Sequence, residues 1–177
     1  INYARKHFER SVIFRPHNVY GPDMGWEHVV PQFLMRMMAL VEQNIQGHPI
    51  AFPIQGSGKE TRSFNYVEDF LDGLMLVIER GLHQEIYHIG DPNEIEIAHL
   101  AKVVADYFDV ALEVVPGSTL EGGTPRRCPD ITKLSQLGYK PKYSIEQGVS
   151  ITGDWYRENS HLNPALTKIG VPQESIK

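Results

Sequence analysis

Residues 62–90 read RSFNYVEDFLDGLMLVIERGLHQEIYHIG. Arg62–Val67 has the composition of a short strand, and it runs directly into a helix whose first turn carries Glu68 and Asp69. Acidic groups there suit the positive end of the helix dipole. Phe70, Leu71, Leu74, Met75, Val77 and Ile78 supply the apolar stripe of that helix, and Gly81 stops it. Glu85–Ile89 is the next strand, closed by Gly90-Asp91-Pro92. A strand, a helix and a strand in such close order specify an α/β fold with parallel pairing.

The flanks repeat the alternation. Ser11–Arg15 is an apolar run stopped by Pro16, predicted as a buried strand, and Asn18–Asp23 is a turn or loop. Val29, Val30, Phe33, Leu34, Met37, Met38, Val41 and Ile45 recur at helical spacing, with Gly47 and Pro49 closing the helix. Met35, Met37 and Met38 fit either an adaptable binding face or a core, and the periodicity favours the core. Ile50–Gln55 is a strand placed at an edge by Pro53, and Gly56-Ser57-Gly58-Lys59 is a turn. Downstream, the pattern predicts a helix to Phe108, a strand at Ala111–Val115 and a long loop at Pro116–Pro129. Helices follow at Ile131–Leu137 and Ile145–Trp155. No linker, repeat or low-complexity tract divides the chain, which is expected to be one α/β body through residue 160, with a tail at 161–177.

Composition narrows the function. The 177 residues carry a formal net charge of −5 without a basic block, which argues against nucleic acid as a partner. No apolar run reaches the ~18 residues of a membrane span, and the charged first ten residues are unlike a signal peptide, so a cytoplasmic setting is expected. Cys128 is the sole cysteine, excluding an internal disulfide and a cysteine-rich zinc site. Arg126 and Arg127 beside it favour a thiolate, but cysteine statistics favour an incidental thiol. Eight histidines show no metal-ligand spacing, so no metal is expected; only His17 stands at a suggestive place, near a strand end. Gly56–Lys59 resembles half of a phosphate loop, but Glu60 stands where Ser or Thr is required. Neither G-x-G-x-x-G nor G-x-S-x-G occurs. Ile1-Asn2-Tyr3-Ala4-Arg5-Lys6 reads as the end of a helix already under way, so the chain is expected to be the C-terminal part of a longer protein.

The arginines are more telling. Arg62 follows a Gly-rich turn, and Arg126-Arg127 lies in a loop between Pro125 and Pro129. Guanidinium groups on rigid turns fork onto phosphate oxygens; the alternative is a solvated or salt-bridged surface arginine.

Six segments in order carry a wider resemblance. They are Arg15-Pro16-His17-Asn18-Val19-Tyr20-Gly21-Pro22, Val30-Pro31-Gln32-Phe33, Gly56 through Asp69, Tyr87-His88-Ile89-Gly90, Arg127 through Lys133, and Leu137-Gly138-Tyr139-Lys140-Pro141. The series resembles the C-terminal half of an extended short-chain dehydrogenase/reductase, and more narrowly the NAD-dependent nucleotide-sugar epimerase/dehydratase family. The likeness implies the end of a Rossmann-type parallel sheet, its last strands near 11–15 and 85–89, with a smaller mixed α/β substrate-binding lobe. It implies that Asn18, Arg62 and Arg127 contact a substrate diphosphate and that His17 lies along the nicotinamide side of NAD, with NADP second. Val29, Val30 and Gln32 match positions where a helix meets the nucleotide sugar. Gln55 stands where relatives carry an aromatic on the base, which leaves the base open. The glycine fingerprint and the Tyr-x-x-x-Lys catalytic set are expected upstream of Ile1; Tyr3 and Lys6 are three apart and are assigned no catalysis.

The implied parent is a homodimeric epimerase or 4,6-dehydratase acting through a transient 4-keto sugar, with this chain alone inactive. The alternatives are a non-catalytic nucleotide-sugar-binding protein and a reductase or decarboxylase on the same scaffold.

Overall fold

The computed structural model describes residues 3–43, 48–118 and 122–164. In chain order the elements are α1 (Ala4–His7), β1 (Ile13–Pro16), β2 (Val19–Tyr20), α2 (Val29–Gln43), β3 (Ile50–Ile54), β4 (Thr61–Ser63), β5 (Asn65–Tyr66), α3 (Val67–Arg80), β6 (Ile86–Ile89), β7 (Glu94–Glu96), α4 (Ile97–Tyr107), β8 (Leu112–Pro116), β9 (Arg126–Arg127), α5 (Thr132–Gln136) and α6 (Ile145–Glu158). The architecture is mixed α/β. Strands β1–β6, β2–β5, β3–β8 and β4–β9 pair in parallel, and β4–β7 pairs antiparallel. Ile45, expected as the last stripe residue of α2, and Gly47, expected with Pro49 to close it, lie outside the described residues, as does the tail beyond residue 164.

Contacts divide the chain into two units, where the sequence shows no linker. Unit 1 draws on Ile1–Tyr20, Lys59–Ile97 and Leu120–Ser144; unit 2 draws on Gly21–Gly58, Ala98–Thr119 and Ile145–Lys177. Each is assembled from three separated segments, so the boundaries fall in turns and at helix ends, where composition does not change.

In unit 1, β1 and β6 run in register from Ile13↔Ile86 to Pro16↔Ile89. Val77, Tyr87, Ile89, Ile131, Leu134 and Tyr139 form the core beneath them. The buried line of α3 passes through Asp69, Gly73 and Val77, one step of four residues at a time. This corrects the expected stripe: Leu71, Met75 and Ile78 are 50%, 51% and 54% exposed. Apolar residues encircle more of α3 than the arc that faces β6. The β1 strand, expected buried, is likewise exposed at Phe14, Arg15 and Pro16, since among the described residues it has a strand neighbour on one side only. The single strand expected at 62–67 breaks at Phe64 into β4 and β5, which join different sheets. The two-residue β2 and β9 lie where loops were expected, and the three-residue β7 occupies residues for which no element was predicted.

Asp69 does more than complement the helix dipole. Its buried carboxylate accepts the backbone N–H groups of Lys142 at 2.9 Å and Tyr143 at 3.1 Å, tying residues 142–143 to α3. Arg10 closes the other end of that helix, donating to the carbonyls of Gly81 and Val77.

In unit 2, α2 packs against α6 and against β3 of the two-stranded pair β3–β8. Pro53 occurs in β3, which among the described residues has a single strand neighbour, as suits its missing N–H. Phe33 meets Phe52 edge-on at 5.1 Å, and Met37 is fully buried, so this methionine serves the core. Gly56 and Gly58 turn the chain out of β3 with φ of 77° and 82°, a region that other residues enter at a cost.

Replacing Asp69 with Ala removes the acceptor of two part-buried backbone donors. The expected loss is roughly 2–4 kcal/mol, read as a lowered urea midpoint; an unchanged midpoint would show that the 142–143 clasp contributes nothing to stability.

Candidate functional site

Asn18 is the hinge of the site. It takes φ 38° between β1, which pairs with β6, and β2, which pairs with β5. Asparagine tolerates this left-handed backbone better than most residues. Two hydrogen bonds hold it: Asn18 Nδ2 donates to the Ser63 carbonyl at 2.8 Å, and its own carbonyl accepts from the Asn65 N–H at 3.2 Å. Ser63 is fully buried, with its hydroxyl on the Asp91 carbonyl. The turn after β1 is thereby fastened to the β4–β5 segment that carries Arg62.

Arg62 and Arg127 are register partners across β4 and β9, although 65 residues separate them in the chain. Arg62 Nη1 donates to the Thr61 carbonyl and Nη2 to the Thr124 carbonyl, each at 2.7 Å, which fixes its guanidinium against the loop before β9. Among the described residues neither Arg62 nor Arg127 has a carboxylate partner. Arg126 does: Glu94 accepts from its Nε at 2.9 Å and also from Thr61 Oγ1 at 2.8 Å. Strand alternation sends adjacent residues to opposite faces, so the Arg126-Arg127 pair splits into one neutralised cation and one unneutralised cation. Like charges on directly paired positions repel, so the Arg62–Arg127 pair is a place where an anion is welcome.

His17 stands at the end of β1, its N–H on the Ile89 carbonyl at 3.0 Å. Its ring Nε2 meets Nδ1 of His88 on β6 at 2.7 Å. Gly90 makes this corner possible, since a Cβ there would lie 2.6 Å from Pro129 and 3.2 Å from the His17 Cβ. Burial first, then His88, Arg127 and Arg15, holds the His17 imidazole below its ordinary pKa and keeps it neutral. His88 packs its ring against that of His17, with centroids 4.9 Å apart, as a packing residue would.

Cys128 has its thiol pushed up by burial, then by Glu94, against the opposing pull of Arg126. Its Sγ donates to the Pro92 carbonyl at 3.4 Å, which suits an incidental thiol. Val30, Gln32 and Gln55, expected at the substrate, belong to unit 2. Val30 is 1% exposed, and its side chain serves the core of that unit. Gln32 is exposed on α2 with Nε2 on the Glu27 carbonyl, and Gln55 is exposed just past β3. No group of three or more metal-ligating side chains occurs among the described residues, and no helix among them is long and apolar enough to cross a membrane.

Sequence reasoning missed Ser63, His88 and Glu94. The one available signal was positional: His88 is the penultimate residue of β6, two before Gly90, and His17 follows the last residue of β1.

The model of the NAD dependent epimerase/dehydratase family matches residues 1–90. The chain belongs to this family. It is 31% identical over 161 residues to dTDP-glucose 4,6-dehydratase of Streptomyces antibioticus, covering 90% of this chain and 45% of that protein. It is 35% identical over 149 residues to UDP-glucuronic acid decarboxylase 2 of Arabidopsis thaliana, covering 82% and 31%. The crystal structure of dTDP-glucose 4,6-dehydratase from Streptomyces venezuelae, with NAD bound, superposes with a TM-score of 0.76 at 28% identity, covering 93% of this chain and 49% of that one. The chain thus spans about half, or less, of the length of these relatives, and the epimerase/dehydratase family's Rossmann-type α/β fold accounts for the parallel β1–β6 pair.

Two outcomes are expected for this family member. His17 is disfavoured as a cation in the fold, so stability is full above its ordinary pKa of 6.5 and falls as pH drops from there toward the depressed folded value. His17→Asn should flatten that part of a urea-midpoint profile; an unaltered profile would remove His17 as its source. Cys128 should react with iodoacetamide at pH 7.5 several-fold more slowly than glutathione, because its thiolate fraction is smaller; a faster reaction would restore the reactive-thiol reading.

Proposed function

We propose that this chain is the substrate-gripping part of a nucleotide-sugar epimerase or 4,6-dehydratase, acting through a transient 4-keto sugar. The observation that carries the reading is the unneutralised register pair Arg62–Arg127 beside the Asn18 turn. Two guanidinium groups and an amide offset the two negative charges of a nucleoside diphosphate, with paired N–H donors matched to phosphate oxygens. Arg62, already fixed by loop carbonyls, keeps its charge in place at little further entropic cost, and Arg127, exposed on β9, closes on the ligand.

His17 is the residue of this chain that fits a nicotinamide dinucleotide. Its neutral imidazole at a strand end adds no positive charge next to an oxidised nicotinamide ring. NAD, when bound, supplies the hydride acceptor that lets a sugar hydroxyl become a ketone. The chain's own residues bind and orient: Asn18, Arg62 and Arg127 hold the diphosphate. The protein is proposed to act as a homodimer in the cytoplasm. Similarity to a UDP-glucuronic acid decarboxylase favours decarboxylation of a uronic acid as a second outcome of the same ketone.

In the intact protein, Arg127→Ala should weaken nucleotide-sugar binding by about 1.5–3 kcal/mol, measured by titration calorimetry with dTDP-glucose and UDP-glucose. Arg62→Ala should do the same while loosening residues 124–125. Unchanged affinity in both variants would refute the diphosphate assignment. Product analysis of the intact enzyme then separates a C4 epimer, a 4-keto-6-deoxy sugar and a decarboxylated pentose.

A further inference from the structure

Arg127 belongs to a strand of two residues, and the register of that strand decides whether it stands opposite Arg62. So short a ladder carries few backbone hydrogen bonds, and both side chains of β9 are exposed, so burial does little to place it. Its sequence does not choose a register either. Arg126 and Arg127 are identical, and a slip of one residue would exchange the faces they present.

Glu94 supplies what the ladder lacks. Its Oε2 accepts from Thr61 Oγ1 at 2.8 Å, and its Oε1 accepts from Arg126 Nε at 2.9 Å and Nη2 at 2.8 Å. Thr61 and Arg126 are themselves register partners, and each is the chain neighbour of one cradle arginine. Glu94 lies opposite Ser63 on β4, so its carboxylate reaches diagonally across that central strand to β9. The grip is on the sheet face turned away from Arg62 and Arg127. Glu96, the direct partner of Thr61, sits on the same strand and face but is exposed.

We propose that Glu94 is a positioning residue of the nucleotide-sugar site: by joining Thr61 to Arg126 it holds β9 in the register that sets Arg127 opposite Arg62. This rests on the diphosphate reading of that arginine pair. Glu94 itself touches no ligand in this scheme. Its charge opposes an anion while its bonds favour one, so the two effects differ in sign.

That difference makes the proposal testable by titrating the intact protein with dTDP-glucose or UDP-glucose. Glu94→Ala removes a negative charge and frees a cation, which by Coulomb's law alone would tighten anion binding. Lost positioning should instead weaken it, roughly three- to tenfold. Glu94→Gln can keep both bonds, with Oε1 accepting from Arg126 and Nε2 donating to the Thr61 hydroxyl, and should restore wild-type affinity or better. Thr61→Val cuts the other side of the grip without changing any charge. It should weaken binding by a similar factor, with no further loss when added to Glu94→Ala. Glu96→Ala removes an equal charge from the same strand and should not weaken binding.

Unchanged or tighter affinity in Glu94→Ala overturns the proposal. So does an equal loss in Glu94→Gln or Glu96→Ala, or additive losses in the double variant. Should Glu94→Ala fail to fold, Thr61→Val decides, and unchanged affinity there overturns the proposal. Arg62→Ala and Arg127→Ala, titrated alongside, keep the two readings apart. Unchanged affinity in both removes the diphosphate reading and the proposal with it; weakening in these but not in Glu94→Ala removes the proposal alone.

Discussion

The left-handed turn at Asn18 is the constraint on which the site depends. Were the backbone to continue extended, β1 would run on along β6, and residues 19–20 would never reach β5. Instead φ 38° at Asn18 transfers the chain from one parallel partner to another, and the bonds to Ser63 and Asn65 fasten that transfer. Because Ser63 ends β4 and Asn65 begins β5, the same clasp fixes where the β4–β5 strand breaks. Arg62 is adjacent to that break, and the β4–β9 register brings Arg127 opposite it. One residue with a tolerated positive φ thus aligns three segments that are distant in sequence.

What could be read from the sequence follows from how much apolar surface each element buries. Helices α2, α4 and α6 bury a continuous stripe, so a 3.6-residue period announces them. The strands β2, β5, β7 and β9 are two or three residues long, too short to show alternation, and their existence depends on partners elsewhere in the chain. In α3 the period was legible but its phase was not: Leu71, Met75 and Ile78 are as apolar as Val77, and only the contacts with β6 and α5 select the buried arc. Asp69 shows the same limit for a polar group. Its place in a first turn suggests a dipole effect, whereas its partners are backbone donors some 73 residues away.

The arginines separate by a rule the sequence contains but does not apply. Arg126 and Arg127 are identical neighbours, and alternation along β9 gives them opposite fates. Glu94, on β7 across the three-stranded sheet, neutralises Arg126 and takes a second hydrogen bond from Thr61. The site is therefore defined as much by where a carboxylate sits as by where the cations sit. The same placement acts on Cys128, whose thiol is raised first by burial and then by Glu94, against the opposing pull of Arg126.

The Gly56–Lys59 turn shows why phosphate would be held by side chains in this protein. A phosphate loop works by leading straight into a helix, whose N-terminal N–H groups and dipole face the anion. Here the turn leads into β4, and the next helix begins with Glu68 and Asp69, which set negative charge at its N-terminus. Asp69 is further committed to residues 142 and 143. Backbone donors at a helix start are thus closed to an anion at α3, whereas β4 and β9 present guanidinium groups. Side-chain cations carry full charge at all physiological pH and repel each other when unliganded.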